Sequence, residues 1–307
     1  MDLKNPLFMS TVALGIMASI NSYIFSCSRG AKNALEGEER IYPWRHGNIF
    51  YKVRGEGEKI LLLHNIHQGA SSFEWRNNFS ALSERFRVYV PDLPGFGQSE
   101  KLKRGYRANL YVKLIFDFID NVIKDDCSII ASGLSSIYAI RNGALCPKKI
   151  KSLFLIDPPG LNKEIKSEII ELMSYQLLSS PVIGRSIYNL MTSKLFIRNF
   201  LKKEVYSKPV TGDMVNYYHM AGHQKGSDLF YPSFISGLLN LDVSDEFKHL
   251  NQKVLVLFGE ETSYSNRMKE LKTLKPDVIF NIFENCKILP HEENFEKFNK
   301  FIKEKVL

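Results

Sequence analysis

The sequence predicts an α/β fold built on a mostly parallel sheet. Short apolar runs that are typical of buried strands alternate with segments whose apolar residues recur at helical spacing. Strands alternating with helices indicate βαβ units, and these units give parallel sheets flanked by helices. With 307 residues and 44% hydrophobic content, the chain is long enough for one large core with an inserted subdomain.

The first third of the chain supplies the amino-terminal half of this sheet. Ser71 or Ser72 is predicted to cap a helix that continues to Leu82. A further amphipathic helix is predicted from Tyr111 to Ile123. Strands are predicted at 41–54, as a pair around a turn, and at 60–64 and 87–91.

A strand, a sharp turn and a helix are predicted between Cys127 and Cys146. This pattern is typical of a nucleophile elbow, in which small residues flank a central residue held at strained dihedral angles. The small-x-nucleophile-x-small pattern begins at Ala131 and ends at Ser135, with Gly133 at its centre. Because glycine has no side chain, the turn is kept while the nucleophile is missing.

The segment 5–28 carries no charged residue and is long enough to cross a bilayer once. We expect a membrane anchor, and therefore a membrane-associated protein whose folded domain faces the cytoplasm, although the flanking charges are too balanced to fix that side. Ser19, Ser22 and Ser26 form a polar stripe, so the helix could instead lie at the interface or pack on the folded domain. A cleaved signal peptide is less favoured, because little positive charge precedes the apolar run.

Composition argues against several classes of function. The net charge of +8 comes from 41 basic and 33 acidic residues spread along the chain, so we expect solvated faces and no nucleic-acid partner. The four cysteines are widely spaced and lack the spacing of metal ligands. With no glycine-rich phosphate loop and no nicotinamide motif, we expect neither a cofactor nor a metal.

Three stretches resemble signature sequences of the α/β-hydrolase superfamily. They run from Leu61 to His64, from Ser71 to Arg76 and from Pro91 to Ser99, and 254–260 resembles the strand that delivers the catalytic acid. The resemblance implies an α/β-hydrolase fold with a helical cap over the site. It divides the chain into an amino-terminal segment (1–35), a first core part (36–158), a helical cap (159–242) and a second core part (243–307). Within the cap, helices are predicted around Ile165 to Leu178, Gly184 to Leu195 and Val215 to Met220.

The resemblance also implies a triad in the chain order nucleophile, acid, histidine. Carried over by position, the nucleophile falls on Gly133, the acid on Thr262 and the histidine on Ile288. None of these residues has the required chemistry. Residues nearby could substitute for them, namely Ser132, Ser135 and Ser136 as nucleophile, Asp157 and Glu261 as acid, and His291 as base, although His291 is predicted to be structural.

The loop that follows the strand at 60–64 departs from the family's His-Gly pattern, because Asn65 stands in place of the glycine. Its backbone donors could still form a partial oxyanion hole with the amide of Leu134. Asn65, His67 and Leu134 are therefore the predicted ligand-binding residues, although the polar side chains of the loop could equally satisfy its own backbone.

Two functions follow from these residues. The first is a non-catalytic α/β-hydrolase-fold protein at a membrane that binds a small apolar molecule or a protein partner. The second is an active ester or acyl hydrolase that uses a displaced serine and histidine. A lyase or an oxygenase is disfavoured, because those reactions usually still need the histidine that Ile288 replaces.

Overall fold

The computed structural model describes residues 6–27, 35–103, 105–162 and 168–306. The eight strands of one sheet lie in the order β1-β2-β4-β3-β5-β6-β7-β8. The strands are β1 (Glu38–Trp44), β2 (Gly47–Arg54), β3 (Lys59–Leu63), β4 (Arg87–Pro91), β5 (Cys127–Ser132), β6 (Ile150–Ile156), β7 (Lys253–Gly259) and β8 (Ile279–Phe283).

The sheet is parallel from β4 through β8, and only β2 pairs antiparallel with its neighbours β1 and β4. The carboxyl ends of β3, β5, β6 and β7 therefore meet at one edge, where ligands bind in open α/β sheets. The predicted mostly parallel α/β fold is confirmed. The edge strand β8 was missed, because its residues Ile279, Phe280 and Ile282 are partly exposed and give no continuous buried run.

Helices cover both faces of the sheet. Along β3, Leu61 and Leu63 pack into one apolar core with α3 (Ala108–Phe118) and α4 (Ser135–Leu145). Ile60 and Leu62 face a second core with α2 (Phe79–Ser83) and α13 (Phe295–Lys305). This alternation follows from the twofold side-chain period of a strand. The core helices are α2 (Phe79–Ser83), α3 (Ala108–Phe118), α4 (Ser135–Leu145), α10 (Ser244–His249), α11 (Tyr264–Leu274), α12 (Pro290–Glu293) and α13 (Phe295–Lys305).

Two core helices differ from their predictions. The helix predicted to continue to Leu82 is broken into a 3₁₀ turn at Ser72–Trp75, which Ser71 caps by accepting from the Phe73 amide, and the short helix α2. The helix predicted from Tyr111 begins earlier, at Ala108, and its last residues form a π-helical turn at Ile119–Ile123.

The cap lies between β6 and β7 in sequence. The prediction of one helix through 184–195 was wrong, because the chain breaks at Thr192 and Ser193 then caps a new helix. The predicted start at Ile165 lies outside the described residues. The cap helices are α5 (Glu168–Leu178), α6 (Ile183–Met191), α7 (Lys194–Phe200), α8 (Gly212–Gly222) and α9 (Tyr231–Ser236). The predicted domain boundaries remain predictions.

The amino-terminal segment is a single helix, α1 (Pro6–Cys27), and the ends of the predicted stretch, 5 and 28, lie outside the described residues. By length and composition it could cross a membrane. Its carboxyl-terminal part packs on the cap, where Asn21 donates to Val182 O (3.1 Å) and Ser186 Oγ (3.0 Å) and accepts from Asn189 Nδ2 (2.8 Å). The predicted serine stripe does not make this contact, since Ser19 and Ser26 bond to carbonyls of their own helix.

Candidate functional site

The sharp turn between β5 and α4 centres on Gly133. Its φ is +52°, a left-handed conformation that side-chain-bearing residues adopt only with strain. The Gly133 amide donates to Ile156 O (2.8 Å), and its carbonyl accepts from the Ser136 amide (3.0 Å). These bonds fix residue 133 at the tip of the turn, where it lines a cavity between the sheet and the cap.

The side chain of Asn65 occupies the space in front of this turn. A Cβ placed on Gly133 would lie under 3.0 Å from the Oδ1, Cγ and Nδ2 atoms of Asn65. Asn65 Oδ1 accepts from the Leu134 amide (2.9 Å) and from the Ile66 amide (2.7 Å). The Leu134 amide and the backbone donors of the loop that contains Ile66 are the groups predicted from the sequence to form a partial oxyanion hole. An oxygen of the chain itself therefore occupies the position of an oxyanion.

A buried carboxylate fixes the backbone beneath Asn65. Glu74 Oε2 accepts from the Asn65 amide (2.9 Å), and Glu74 Oε1 lies 3.0 Å from His291 Nε2. Burial alone would raise the pKa of Glu74, but the hydrogen bond and charge of His291 outweigh it and lower that pKa to about 2. His291 is thus engaged with Glu74 and does not line the cavity; its structural role stays a prediction.

His64 stabilises the other side of the same loop. Its Nε2 accepts from the Leu93 amide (3.0 Å), which leaves the proton on Nδ1 to donate to Asn65 O (2.6 Å). Complete burial lowers the pKa of His64 and keeps the ring neutral. With both ring nitrogens bonded to the backbone, His64 has no nitrogen left to act as a base.

The cavity lies between the carboxyl edge of the sheet and the cap, and its volume is about 520 Å³. The three predicted ligand-binding residues, Asn65, His67 and Leu134, all line it. Ile288 also lines it, where the resemblance places the catalytic histidine. Most of the wall is apolar and comes from the cap, including Met191, Phe196, Ile197, Phe200, Leu201, Val205, Phe234 and Ile235.

One ion pair lies in the cavity wall. Arg267 donates to Asp157 Oδ1 (2.7 Å) and to Pro158 O (2.9 Å). Burial raises the pKa of Asp157, and Arg267 opposes that shift. Asp157 itself has a φ of +43°, so the end of β6 is a strained turn whose carboxylate is held by the arginine. Asp157 thus contacts a fixed cation, and no imidazole is bonded to it.

The three serines considered as displaced nucleophiles lie beside the cavity but do not line it. Ser135 Oγ donates to His64 O (2.6 Å), and Ser136 Oγ donates to Ala131 O (3.1 Å). Ser132 Oγ is buried without a hydrogen-bond partner. None of these hydroxyls is bonded to a histidine nitrogen, which is the contact that would activate a serine.

The positions predicted for the acid are dispersed. Thr262 Oγ1 donates to Gly259 O (2.9 Å) and terminates β7. Glu261 is exposed, and neither residue lines the cavity. The cap histidines also lie outside the cavity wall. The His219 ring bonds to Thr192 O, and the His223 ring bonds to His219 O and to the Thr192 hydroxyl.

Sequence reasoning missed the roles of three residues of this site. It placed Asn65 at the cavity but did not predict that its carboxamide fills the oxyanion hole. It missed Arg267, a lone arginine on an otherwise polar helix with no local signal of a partner. It also missed the role of Glu74, since a carboxylate within the stretch from Ser71 to Arg76 gives no sign of burial. Among the described residues, no group of three or more His, Cys, Asp or Glu could hold a metal ion.

Comparisons with known proteins identify the family of this fold. The model of the alpha/beta hydrolase family matches residues 60–298. The chain is 22% identical over 255 residues to 2-hydroxy-6-oxo-6-phenylhexa-2,4-dienoate hydrolase of Burkholderia cepacia. The matched region covers 80% of this chain and 86% of that enzyme. It is 32% identical over 120 residues to the soluble epoxide hydrolase of Corynebacterium sp. (strain C12), covering 38% and 40%. The chain spans about a third of the length of an uncharacterised Mycobacterium tuberculosis protein that it also matches.

Solved structures share the fold. The epoxide hydrolase CorEH superposes with a TM-score of 0.72 at 21% identity, over 87% of this chain and 98% of that one. The serine hydrolase CarC, involved in carbazole degradation, superposes with a TM-score of 0.71 at 18% identity, over 88% and 98%.

Proposed function

The chain belongs to the alpha/beta hydrolase family, and we propose that it uses this fold to bind a small apolar molecule rather than to hydrolyse an ester. In this account the cavity beneath the cap is a binding site, and α1 associates the protein with a membrane. A protein partner, the other occupant considered from the sequence, has less support because the enclosed apolar wall suits a small molecule.

The observation that carries this proposal is that residue 133 has no side chain and that the Asn65 carboxamide fills the space in front of it. An active elbow needs an oxygen at position 133 and free amides to receive the oxyanion. Here Gly133 supplies no oxygen, and Asn65 Oδ1 accepts from both amides. A substrate carbonyl would have to displace the carboxamide, whose Nδ2 and Oδ1 sit where the nucleophile would stand.

The cavity favours an apolar ligand with a small polar group. Its volume of about 520 Å³ falls within the range of about 300–1,000 Å³ that is usual for small-molecule sites. The cap side chains supply most of the wall, while His67, Asp157 and Arg267 are grouped at the sheet edge. A ligand would therefore bury its apolar part against the cap and direct a polar group towards the sheet.

The experiment is a titration of the full chain, in mild detergent, with an environment-sensitive apolar fluorophore. Wild type is expected to bind it saturably, and Ile288→Asp to bind it at least about tenfold more weakly, because a carboxylate in an apolar site loses solvation. Leu145→Asp is the matched control, since Leu145 is exposed and lies outside the cavity. Equal affinities in all three proteins would refute the proposed site.

The alternative of an active hydrolase has one specific observation in its favour. Ser132 Oγ is buried without a hydrogen-bond partner, beside the turn. Relatives named as hydrolases give this alternative weight as well. It requires a base, and labelling by a fluorophosphonate serine probe distinguishes the two functions.

A further inference from the structure

Helix α5 of the cap has its apolar side facing outward. Ile169, Ile170, Leu172, Met173 and Leu177 are all more than half exposed. The opposite side, which approaches α9, carries Glu171, Ser174, Tyr175 and Leu178. A surface helix of a water-soluble domain has the reverse arrangement. An exposed apolar face of this kind marks a contact site.

This face is continuous with the place where α1 joins the cap. Asn21 of α1 bonds to Val182, Ser186 and Asn189, at the corner between α5 and α6. Ile183 and Leu190 are exposed, and each directly follows one of these partners in the sequence, Val182 and Asn189 respectively. We call the exposed apolar residues of α5 together with Ile183 and Leu190 the cap apolar face.

The length of α1 places this corner close to any membrane that α1 enters. Before Asn21, α1 is only about 22 Å long at about 1.5 Å per residue, whereas the hydrocarbon core of a bilayer is about 30 Å thick. Since Asn21 is buried against the cap, α1 can insert deeply only if the α5–α6 corner itself reaches the interface. The cap apolar face would then be immersed rather than left in water.

Charge next to this region suits anionic lipid. Lys194, Arg198, Lys202 and Lys203 are exposed on α7, which follows α6 in the chain, and on the π-helical turn Leu201–Val205 after it. They outnumber the one exposed acid of that stretch, Glu204. Basic side chains beside an apolar surface are typical of segments that lie at the interface of anionic membranes. Phe200, on the same stretch, lines the cavity and is also 41% exposed, so the cavity wall reaches the surface there.

We infer that the cap lies on an anionic lipid bilayer through the cap apolar face, with α1 inserted beside it, so that the cavity receives its ligand from the bilayer. This inference rests on the proposed function and adds to it the source and class of the ligand, a lipid or another molecule dissolved in the acyl layer. In this inference lipid covers the cap apolar face. The alternative that the test distinguishes is that a second copy of the chain covers it.

The test uses tryptophan quenching by brominated lipid. Both native tryptophans, Trp44 and Trp75, are buried, so a tryptophan added at the surface reports its own surroundings. The full chain carrying Met173→Trp or Leu190→Trp is reconstituted in vesicles of phosphatidylcholine and phosphatidylglycerol, with or without bromine on the acyl chains. Leu145→Trp is the matched control, because Leu145 is 57% exposed and is the last residue of α4, at the far end of that helix from the turn beside the cavity.

Emission from the tryptophans added at 173 and 190 is expected to fall by about half or more in brominated vesicles, because a face buried about 5–10 Å into the interface reaches the acyl chains. The control is expected to be unquenched. No quenching at 173 and 190 would overturn the inference, and blue-shifted but unquenched emission would assign the face to a second copy. Quenching of these added tryptophans does not depend on the cavity. An absence of quenching would therefore overturn the membrane contact without affecting the proposed binding site, which the fluorophore titration tests.

Discussion

The Asn65 carboxamide fills the space in front of Gly133. Substitutions at these two positions should therefore have non-additive effects on the free energy of unfolding. Gly133→Ala adds a Cβ that lies under 3.0 Å from the Asn65 carboxamide, at a φ of +52°. The left-handed conformation costs about 1–2 kcal/mol, and displacing the carboxamide breaks its two hydrogen bonds to the Leu134 and Ile66 amides, at about 0.5–1.5 kcal/mol each. The substitution should therefore lower the free energy of unfolding by about 2–5 kcal/mol.

Asn65→Gly removes the obstacle and opens the amides to water from the cavity. In the double variant the Cβ at position 133 no longer meets the carboxamide, so only the conformational strain remains. The double variant should therefore lose about 1–3 kcal/mol less than the sum of the two single variants. The assay is urea unfolding of the full chain in mild detergent for all four proteins of the cycle.

A second glycine provides the matched control. Gly237 has a φ of +87°, but a Cβ there would meet its nearest atom at 3.8 Å. Gly237→Ala should thus cost only the conformational strain and should be additive with Asn65→Gly to within about 0.5 kcal/mol. The reasoning is refuted if Gly133→Ala costs no more than Gly237→Ala and is also additive with Asn65→Gly.

Three further results are expected. The pKa of Glu74 is lowered from 4.5 to about 2 in the folded protein. The contribution of its carboxylate to stability is therefore present above pH 4.5 and is lost as the pH falls towards about 2. The difference in unfolding free energy between wild type and Glu74→Gln should shrink over that window. His291→Ala should destabilise by about 3–5 kcal/mol by leaving a buried carboxylate unpaired without changing fluorophore affinity, and a loss of affinity would contradict its structural role. Asn21→Ala should lower the free energy of unfolding by about 1–3 kcal/mol, because its partner Asn189 is left unpaired. Ser26→Ala is the control and should leave the free energy of unfolding unchanged. Equal effects of the two substitutions would disprove the docking of α1 on the cap.

The order of elements could be predicted because each local signal agreed with the fold. The apolar run 60–64 was predicted as a buried parallel strand, and β3 lies there at the centre of the sheet. The pattern around Gly133 predicted a sharp turn, and the φ of +52° agrees with that geometry. Capping was less predictable, since Ser193 starts a new helix where the apolar periodicity simply continues.

The site was less predictable because its contacts join residues that are distant in sequence. Asn65 meets the Leu134 amide, and Arg267 meets Asp157 more than a hundred positions away. Local sequence identified Asn65 as an exception to the family's pattern but not the space its carboxamide fills. Likewise, the serine stripe on α1 was the visible polar pattern, whereas the single Asn21 makes the contact with the cap.

The most direct test of the central claim is covalent labelling. The full chain is incubated with a fluorophosphonate serine probe, with an active serine hydrolase as the positive control, and both are analysed by intact mass and peptide mapping beside a short-chain ester assay. An unchanged mass and background ester turnover are expected, because Gly133 supplies no nucleophile and the Asn65 carboxamide fills the oxyanion hole. One adduct per chain on Ser132, Ser135 or Ser136, together with ester turnover, would contradict the central claim and establish a displaced nucleophile.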